Sequence, residues 1–354
     1  MSRFSTDVVN SILPYVPGEQ PQDKKYIKLN TNESPYYMSK TALESIGEKE
    51  LNSLRLYCDP DAKLITKEIA SFYGVNEENV LVTNGSDEIL AFSFLAFCKG
   101  KPTAFADVTY GFYKVYAKIF EVLATEIELL DDFSLNLQAF NNFNGNIILA
   151  NPNAQTGLFV ENDKLEEIVN SHKNNLVLID EAYADFANST MANLTKIYDN
   201  LLVTGTFSKS RSLAGARLGF CIGDKQLIDD LKKVKYSFNP YNVNSLSQIL
   251  GYKAMADRDY FYECCNKIIQ TREKLKISLK NLGFEVLDSK ANFLLARSNK
   301  ISGKKLYERL KDLGILVRHF SDKRICDFVR ITIGTDEQMN VLCEKIRLIL
   351  GEKQ

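Results

Sequence analysis

Apolar positions along the chain change spacing many times, and each change marks an element. Between Asp61 and Tyr73, Leu64, Ile65, Ile69 and Phe72 recur at intervals of three and four, which predicts a helix. The run "GVNEENVLVTNG" then reads as a turn, a short strand at 80–83 and a helix opening near Ser86. The alternation continues with strands near 103–105, 124–128, 146–150, 175–179 and 200–204, and with a helix near 112–120. The strands are short continuous apolar runs, as expected when both faces of a parallel sheet are covered.

From about residue 246 the pattern becomes a long helical region reaching Leu282. After it come "GFEVLDSKANFLLAR", a helix near 304–313, "GILVRHF", "FVRITIG" and a last helix. The predicted fold class is therefore α/β, a mostly parallel central sheet with helices on both faces, followed by a smaller α+β C-terminal domain. Residues 1–28 are irregular and read as an arm packed on the body, with 29–245 as the large domain and 246–354 as the small one.

Composition narrows the function classes. The chain has 354 residues, 45% of them hydrophobic and 25% charged, with a net charge of −1, so nothing favours nucleic acid as a partner. His172 and His319 are isolated, which leaves no histidine-based metal site. Seven cysteines without framework spacing suggest reduced thiols in the cytoplasm. The N-terminal residues lack a signal-peptide pattern, and no run of about 18 apolar residues predicts a membrane span.

Ligands of open parallel sheets sit outside the carboxyl ends of the strands, and four clusters fall there. In "NGSDEIL", Gly85 and Ser86 open a helix whose first amides suit an anion, with Asp87 in its first turn. In "VLIDEAYADF", Asp180 ends an apolar strand, where a buried carboxylate needs a partner, and Tyr183 follows it. In "TFSKSRSLAGARLGF", Lys209 lies among Thr206, Ser208 and Arg217. Hydroxyls with a guanidinium suit a phosphate, and an enclosed lysine there would be a Schiff-base candidate. In "DVTYGFY", Tyr110 is placed to stack on a planar ring. Each cluster alone also has a plain structural reading: first-turn acids, a surface basic loop, a core aromatic. In this order they supply every contact pyridoxal phosphate needs.

The ordered set "LPYVPG", "KLNTNESPY", "LRLYCDPDA", "NGSDEIL", "DEAYADF", "TFSKSRSLAGARLGF", "NPYNVNSLSQ", "ANFLL", "GILVRHF" and "VRITIGT" resembles the fold-type I pyridoxal-phosphate enzymes, and among them the histidinol-phosphate aminotransferase family. The resemblance implies a transaminase acting on a small phosphorylated substrate, with histidinol phosphate and 2-oxoglutarate as the default pair. It makes Lys209 the Schiff-base lysine and proton carrier, Asp180 the partner of the ring nitrogen, Tyr183 the donor to the ring 3-oxygen and Tyr110 the stacking ring. Gly85, Ser86, Ser208 and Arg217 would hold the cofactor phosphate, with Asp87 and Thr206 beside it. Tyr57 would reach the cofactor of a second subunit, implying a homodimer with shared sites. Arg330 and Arg318 would bind substrate, with Tyr15 and Asn32 closing the pocket.

In "NPNAQTG" the chain departs from the family: Ala154 stands where an asparagine usually bonds the ring 3-oxygen, and Gln155 replaces proline. The expectation is that Asn153 supplies that bond instead. Cys58 likewise replaces a proline beside Tyr57, and Ser34 stands where many members have asparagine. The same framework also accommodates a transaminase for another phosphorylated ketone such as dihydroxyacetone phosphate, or a decarboxylase of phosphothreonine or phosphoserine. A non-catalytic cofactor-binding regulator usually carries a fused DNA-binding segment with a basic patch, and a nicotinamide dehydrogenase a G-x-G-x-x-G after the first strand; no basic patch and no such glycine spacing is read along the chain, so neither is expected.

Overall fold

The structure is a computed structural model and describes residues 2–351. Seven strands form the main sheet: β1 (Val80–Thr83), β2 (Pro102–Ala106), β3 (Leu123–Ile127), β4 (Asn146–Ala150), β5 (Val177–Asp180), β6 (Leu201–Thr206) and β7 (Gly219–Gly223). Their spatial order is β1-β7-β6-β5-β4-β2-β3. Only β7 runs antiparallel to its neighbours. It therefore leaves β1 pointing the same way as β4, β5 and β6, so their carboxyl ends share one edge.

The period of two along each strand accounts for the layers. Ile147, Leu149, Val177, Ile179, Leu201 and Val203 face one core, which helix Asn162–Ser171 covers with Leu165, Ile168 and Val169. Ile148, Leu178 and Leu202 face the opposite core, covered by Ile89 and Leu90 of helix Ser86–Ser93, Tyr113 and Tyr116 of helix Phe112–Ile119, and Ile228 and Leu231 of helix Lys225–Phe238. Apolar residues on both faces are what a doubly covered sheet requires.

A second unit follows helices Ser245–Ala256 and Arg258–Asn281. Its strands are β8 (Phe284–Val286), β9 (Phe293–Ser298), β10 (Ile315–Leu316), β11 (Arg318–His319) and β12 (Phe328–Thr332). Four of them form an antiparallel sheet in the order β11-β12-β9-β8. The remaining strand, β10, pairs in parallel with the two-residue strand Ile27–Lys28. The N-terminal segment is thus stitched to the C-terminal unit before it reaches the main sheet's edge.

Candidate active site

The carboxyl edge of β4, β5 and β6 opens into a cavity of about 380 Å³, a size suited to a small cofactor or substrate. Ser86, Asp87, Tyr110, Asp180, Tyr183, Thr206, Ser208, Lys209 and Arg217 line it, so most residues expected from sequence meet there. Gly85 stands directly behind them at the start of helix Ser86–Ser93. Its φ of +80° is one that side-chain-bearing residues avoid, and a Cβ there would lie 2.6 Å from Arg217 Nη2. Glycine is what lets the guanidinium lie across the helix start. Together with Ser86 and Ser208, that arrangement makes a cup for an anion.

Asp180 ends β5 and is 4% exposed. Burial raises its pKa to about 6, against the pull of a hydrogen bond from Tyr113 and of one from the Ala182 amide. The Tyr113 hydroxyl donates to Oδ2 at 2.8 Å, and the Ala182 N–H to Oδ1 at 3.2 Å. A cationic ring nitrogen set against this carboxylate would offset the cost of burying it.

Lys209 follows β6, with its Nζ donating to the Thr31 carbonyl at 3.3 Å and lying 5.9 Å from the Tyr183 ring centre. Burial, and then the positive charge of Arg330, lower its pKa to about 8. A lysine so placed holds a much larger share of free amine near neutrality than an ordinary lysine, which favours condensing with an aldehyde. Thr206 organises the loop beside it, since its Oγ1 accepts from the Ser208 amide at 3.1 Å and donates to the Ser208 hydroxyl at 3.0 Å.

Asp87 holds two other predicted residues at once. It accepts from the Tyr110 hydroxyl at 2.7 Å and from Arg217 Nη2 at 3.0 Å. Tyr183 accepts a hydrogen bond from Asn32 Nδ2 at 3.0 Å, and Asn32 is itself fixed by Thr332 and Asn292. Asn32 is therefore buried behind Tyr183. Tyr15 lies over Phe112, with ring centres 4.5 Å apart, and 6.2 Å from Tyr110. Arg330 is not among the residues lining the cavity; its Nη1 donates to the carbonyl of Ala154, which is, and to Gln155 Oε1. Arg318 binds the carbonyls of Val16 and Pro17. Tyr57 is 83% exposed and away from the cavity, stacked on Tyr241.

The expectation for Asn153 is corrected. Its Nδ2 donates to Val108 O, and its Oδ1 accepts from the amides of Gln155 and Thr156. All of its side chain is spent on bracing the loop, and it does not line the cavity. Ala154 lines the cavity in its place, offering only a methyl group. Short polar side chains bind nearby backbone readily, and here that local bonding wins over a ligand contact. Tyr113, Thr31 and Glu33 are site residues the sequence reading missed. Tyr113 reads as helix core, and only its place three residues after Tyr110 on the same helix start hints that it faces β5.

Amine, buried acid and anion cup fit pyridoxal phosphate, whose aldehyde, ring nitrogen and phosphate they match. The chain matches the family model for aminotransferase class I and II over residues 24–346. It is 52% identical over 352 residues to the histidinol-phosphate aminotransferase of Brachyspira hyodysenteriae, covering 99% of each chain. To the enzyme of the same name from Clostridium beijerinckii it is 47% identical, covering 100% of this chain and 99% of that one. Among solved structures, histidinol-phosphate aminotransferase from Sinorhizobium meliloti in complex with pyridoxal-5'-phosphate superposes with a TM-score of 0.86 at 22% identity, covering 99% of both chains.

Proposed function

The chain belongs to the class I and II aminotransferases, and from that premise we propose that it is a pyridoxal-phosphate-dependent transaminase passing an amino group between histidinol phosphate and 2-oxoglutarate. The observation that carries this reading is the meeting, on one cavity, of Lys209, Asp180 and the anion cup of Ser86, Ser208 and Arg217. Full-length relatives that bear the histidinol-phosphate name support the substrate.

Bound pyridoxal phosphate supplies an electron sink for the bond broken at the substrate's α-carbon. In this reading Ser86, Ser208, Arg217 and the first amides of helix Ser86–Ser93 hold its phosphate. The Asp180 carboxylate keeps the ring nitrogen protonated, the Tyr183 hydroxyl serves the ring 3-oxygen, and Tyr110 flanks the ring. Lys209 Nζ takes the proton from the substrate's α-carbon, a task suited to an amine whose pKa is lowered to about 8. Arg330 receives the carboxylate of the 2-oxo acid or amino acid, Arg318 and Tyr15 border the phosphorylated substrate, and Asn32, buried behind Tyr183, positions that residue's hydroxyl. The exposed Tyr57 is free to complete the site of a second copy, so the active form is a homodimer, and its place is the cytoplasm. No helix among the described residues is long and apolar enough to cross a membrane.

A coupled assay with histidinol phosphate and 2-oxoglutarate tests the reading. Formation of glutamate is expected, and it should vanish in Lys209→Ala while the protein stays folded. Release of CO2 from phosphothreonine without glutamate formation would replace the transaminase with a decarboxylase. Turnover of dihydroxyacetone phosphate alone would change the substrate.

A further inference from the structure

Among the described residues three carboxylates line the cavity, those of Asp180, Asp87 and Glu33. Two of them are already engaged. Asp180 is the buried acid set against a cationic ring nitrogen, and Asp87 is held by Tyr110 and Arg217. Glu33 is bonded only by residues of its own segment: its Oε1 accepts from Lys28 Nζ at 2.7 Å and its Oε2 from the Thr31 hydroxyl at 2.8 Å. Burial works to raise its pKa, but these two bonds outweigh it and hold the carboxyl below its ordinary value, so the group is an anion at neutral pH. A carboxylate has about four lone-pair positions, so acceptor capacity remains. The side chain is 41% exposed, and the cavity lies on its open side.

Thr31 ties Glu33 to the reacting position. Its carbonyl accepts from Lys209 Nζ at 3.3 Å, while its hydroxyl donates to Glu33. The charges of Glu33 and Lys209 act on each other as well, the first pKa being lowered by the lysine and the second raised by the glutamate. An amine seated where Lys209 Nζ now lies therefore has Thr31 and Glu33 near the carbon that bears it. In histidinol phosphate that carbon carries two arms, one ending in a phosphate and the other in an imidazole. An anionic phosphate is repelled by Glu33, whereas the imidazole offers a ring N–H to accept. Charge therefore decides which arm turns toward Glu33.

We propose that Glu33 is a specificity-determining residue that accepts a hydrogen bond from the imidazole N–H of the substrate, so that the site selects phosphorylated amines bearing a ring N–H donor. Lys28 and Thr31 hold the carboxylate in place and leave its other lone pairs for the ligand. A hydrogen bond to a charged acceptor is roughly twice as strong as a neutral one, and a phenyl ring in the same place forgoes it. The proposal rests on the histidinol phosphate reading above, because that substrate supplies the imidazole.

Two amine-free probes that cannot react, imidazolylpropyl phosphate and phenylpropyl phosphate, test it by calorimetry on the holoenzyme. Glu33→Met keeps the length of the side chain and removes its acceptors, so the ratio of the two affinities should shift by about tenfold against the imidazole. Lys28→Met breaks the ion pair and keeps the carboxylate, so the ratio should hold. The same ratio, read as kcat/KM for the half-reactions of histidinol phosphate and its phenyl analogue, should follow. A change of Lys209 protonation affects both substrates alike and cancels. An unchanged ratio in Glu33→Met, or an equal shift in Lys28→Met, overturns the role of Glu33. If the wild-type holoenzyme shows no half-reaction with histidinol phosphate, the substrate reading itself falls, which is a separate result.

Discussion

Tyr113 and Asp180 form a donor–acceptor pair sealed from water: the hydroxyl lies 2.8 Å from Oδ2, on a tyrosine that is 0% exposed. Burial and the adjoining carboxylate raise the Tyr113 pKa far above its ordinary value, so the hydroxyl keeps its proton and always donates. That donation opposes the burial that lifts Asp180 to about 6.

Tyr113→Phe deletes only the hydroxyl, so the fold should survive. Asp180 should then titrate higher, by about one unit if the bond to its charged form is worth roughly 1.5–3 kcal/mol and partly replaced by water. Cofactor affinity of the cofactor-free protein, titrated by fluorescence against pH, should rise through a midpoint near 6 in the wild type. In the variant that midpoint should move upward, and an unmoved midpoint would remove Tyr113 from the control of Asp180.

Lys209 offers a second titration, with its pKa shifted in the opposite direction. Its amine is charged below its pKa, and that pKa is lowered to about 8 from 10.5. The rate of covalent cofactor attachment should therefore climb as pH rises through about 8, where an ordinary lysine would climb near 10.5. Arg330→Met withdraws a neighbouring positive charge, so the inflection should shift to higher pH. Rapid-mixing absorbance at several pH values reads it directly.

Gly219 supports the anion cup from behind. A Cβ on it would lie 2.2 Å from the Ser86 nitrogen and 2.4 Å from the Gly85 carbonyl carbon, both backbone atoms that cannot turn aside. Gly219→Ala should push the Gly85–Ser86 turn out of place at a cost of about 1–3 kcal/mol. Equilibrium dialysis of pyridoxal phosphate should show affinity falling at least about tenfold if that strain falls on the ligand site. Undiminished affinity with lowered thermal stability would mean the cup is intact and the strain went elsewhere.

Glu181 is the second carboxyl of "DEAY" and serves the scaffold. It accepts from the Thr190 hydroxyl and the Met191 amide, both at 2.5 Å, and burial raises its pKa to about 8. A raised carboxyl pKa means the folded protein holds this proton more tightly than the unfolded chain. Its contribution is full below the ordinary value of 4.5 and is lost as pH climbs through about 8. Melting temperature should decline over that window in the wild type and decline less in Glu181→Gln. Parallel curves would place the ionisation elsewhere.

The residues gathered on the cavity at the strand ends were legible in the sequence because two independent constraints coincide there. An apolar run that stops at Asp180 marks both a sheet edge and a carboxylate in need of a partner. The spacing of Thr206, Ser208, Lys209 and Arg217 likewise marks a loop built around an anion. The antiparallel β7 was not legible, because its five residues, "GFCIG", lie against the lysine loop and carry glycines at both ends. Asn153 misled for a different reason. A side chain's residue type shows what it can bond, and its loop decides where those bonds go. Tyr113 was hidden because an aromatic on a helix buries equally well whether or not its hydroxyl has work.

The pairing of Ile27–Lys28 with β10 has a mechanical consequence. From that pairing the backbone runs on through Leu29, which bonds Leu316 and Thr332, to the Thr31 carbonyl at Lys209 and the Asn32 amide at Tyr183. Thr332 bonds Asn32 and sits two residues from Arg330 on β12. One short segment thus touches the Lys209 amine, the Tyr183 hydroxyl and the strand that carries Arg330. A change in the tilt of this segment would therefore reach all three groups together.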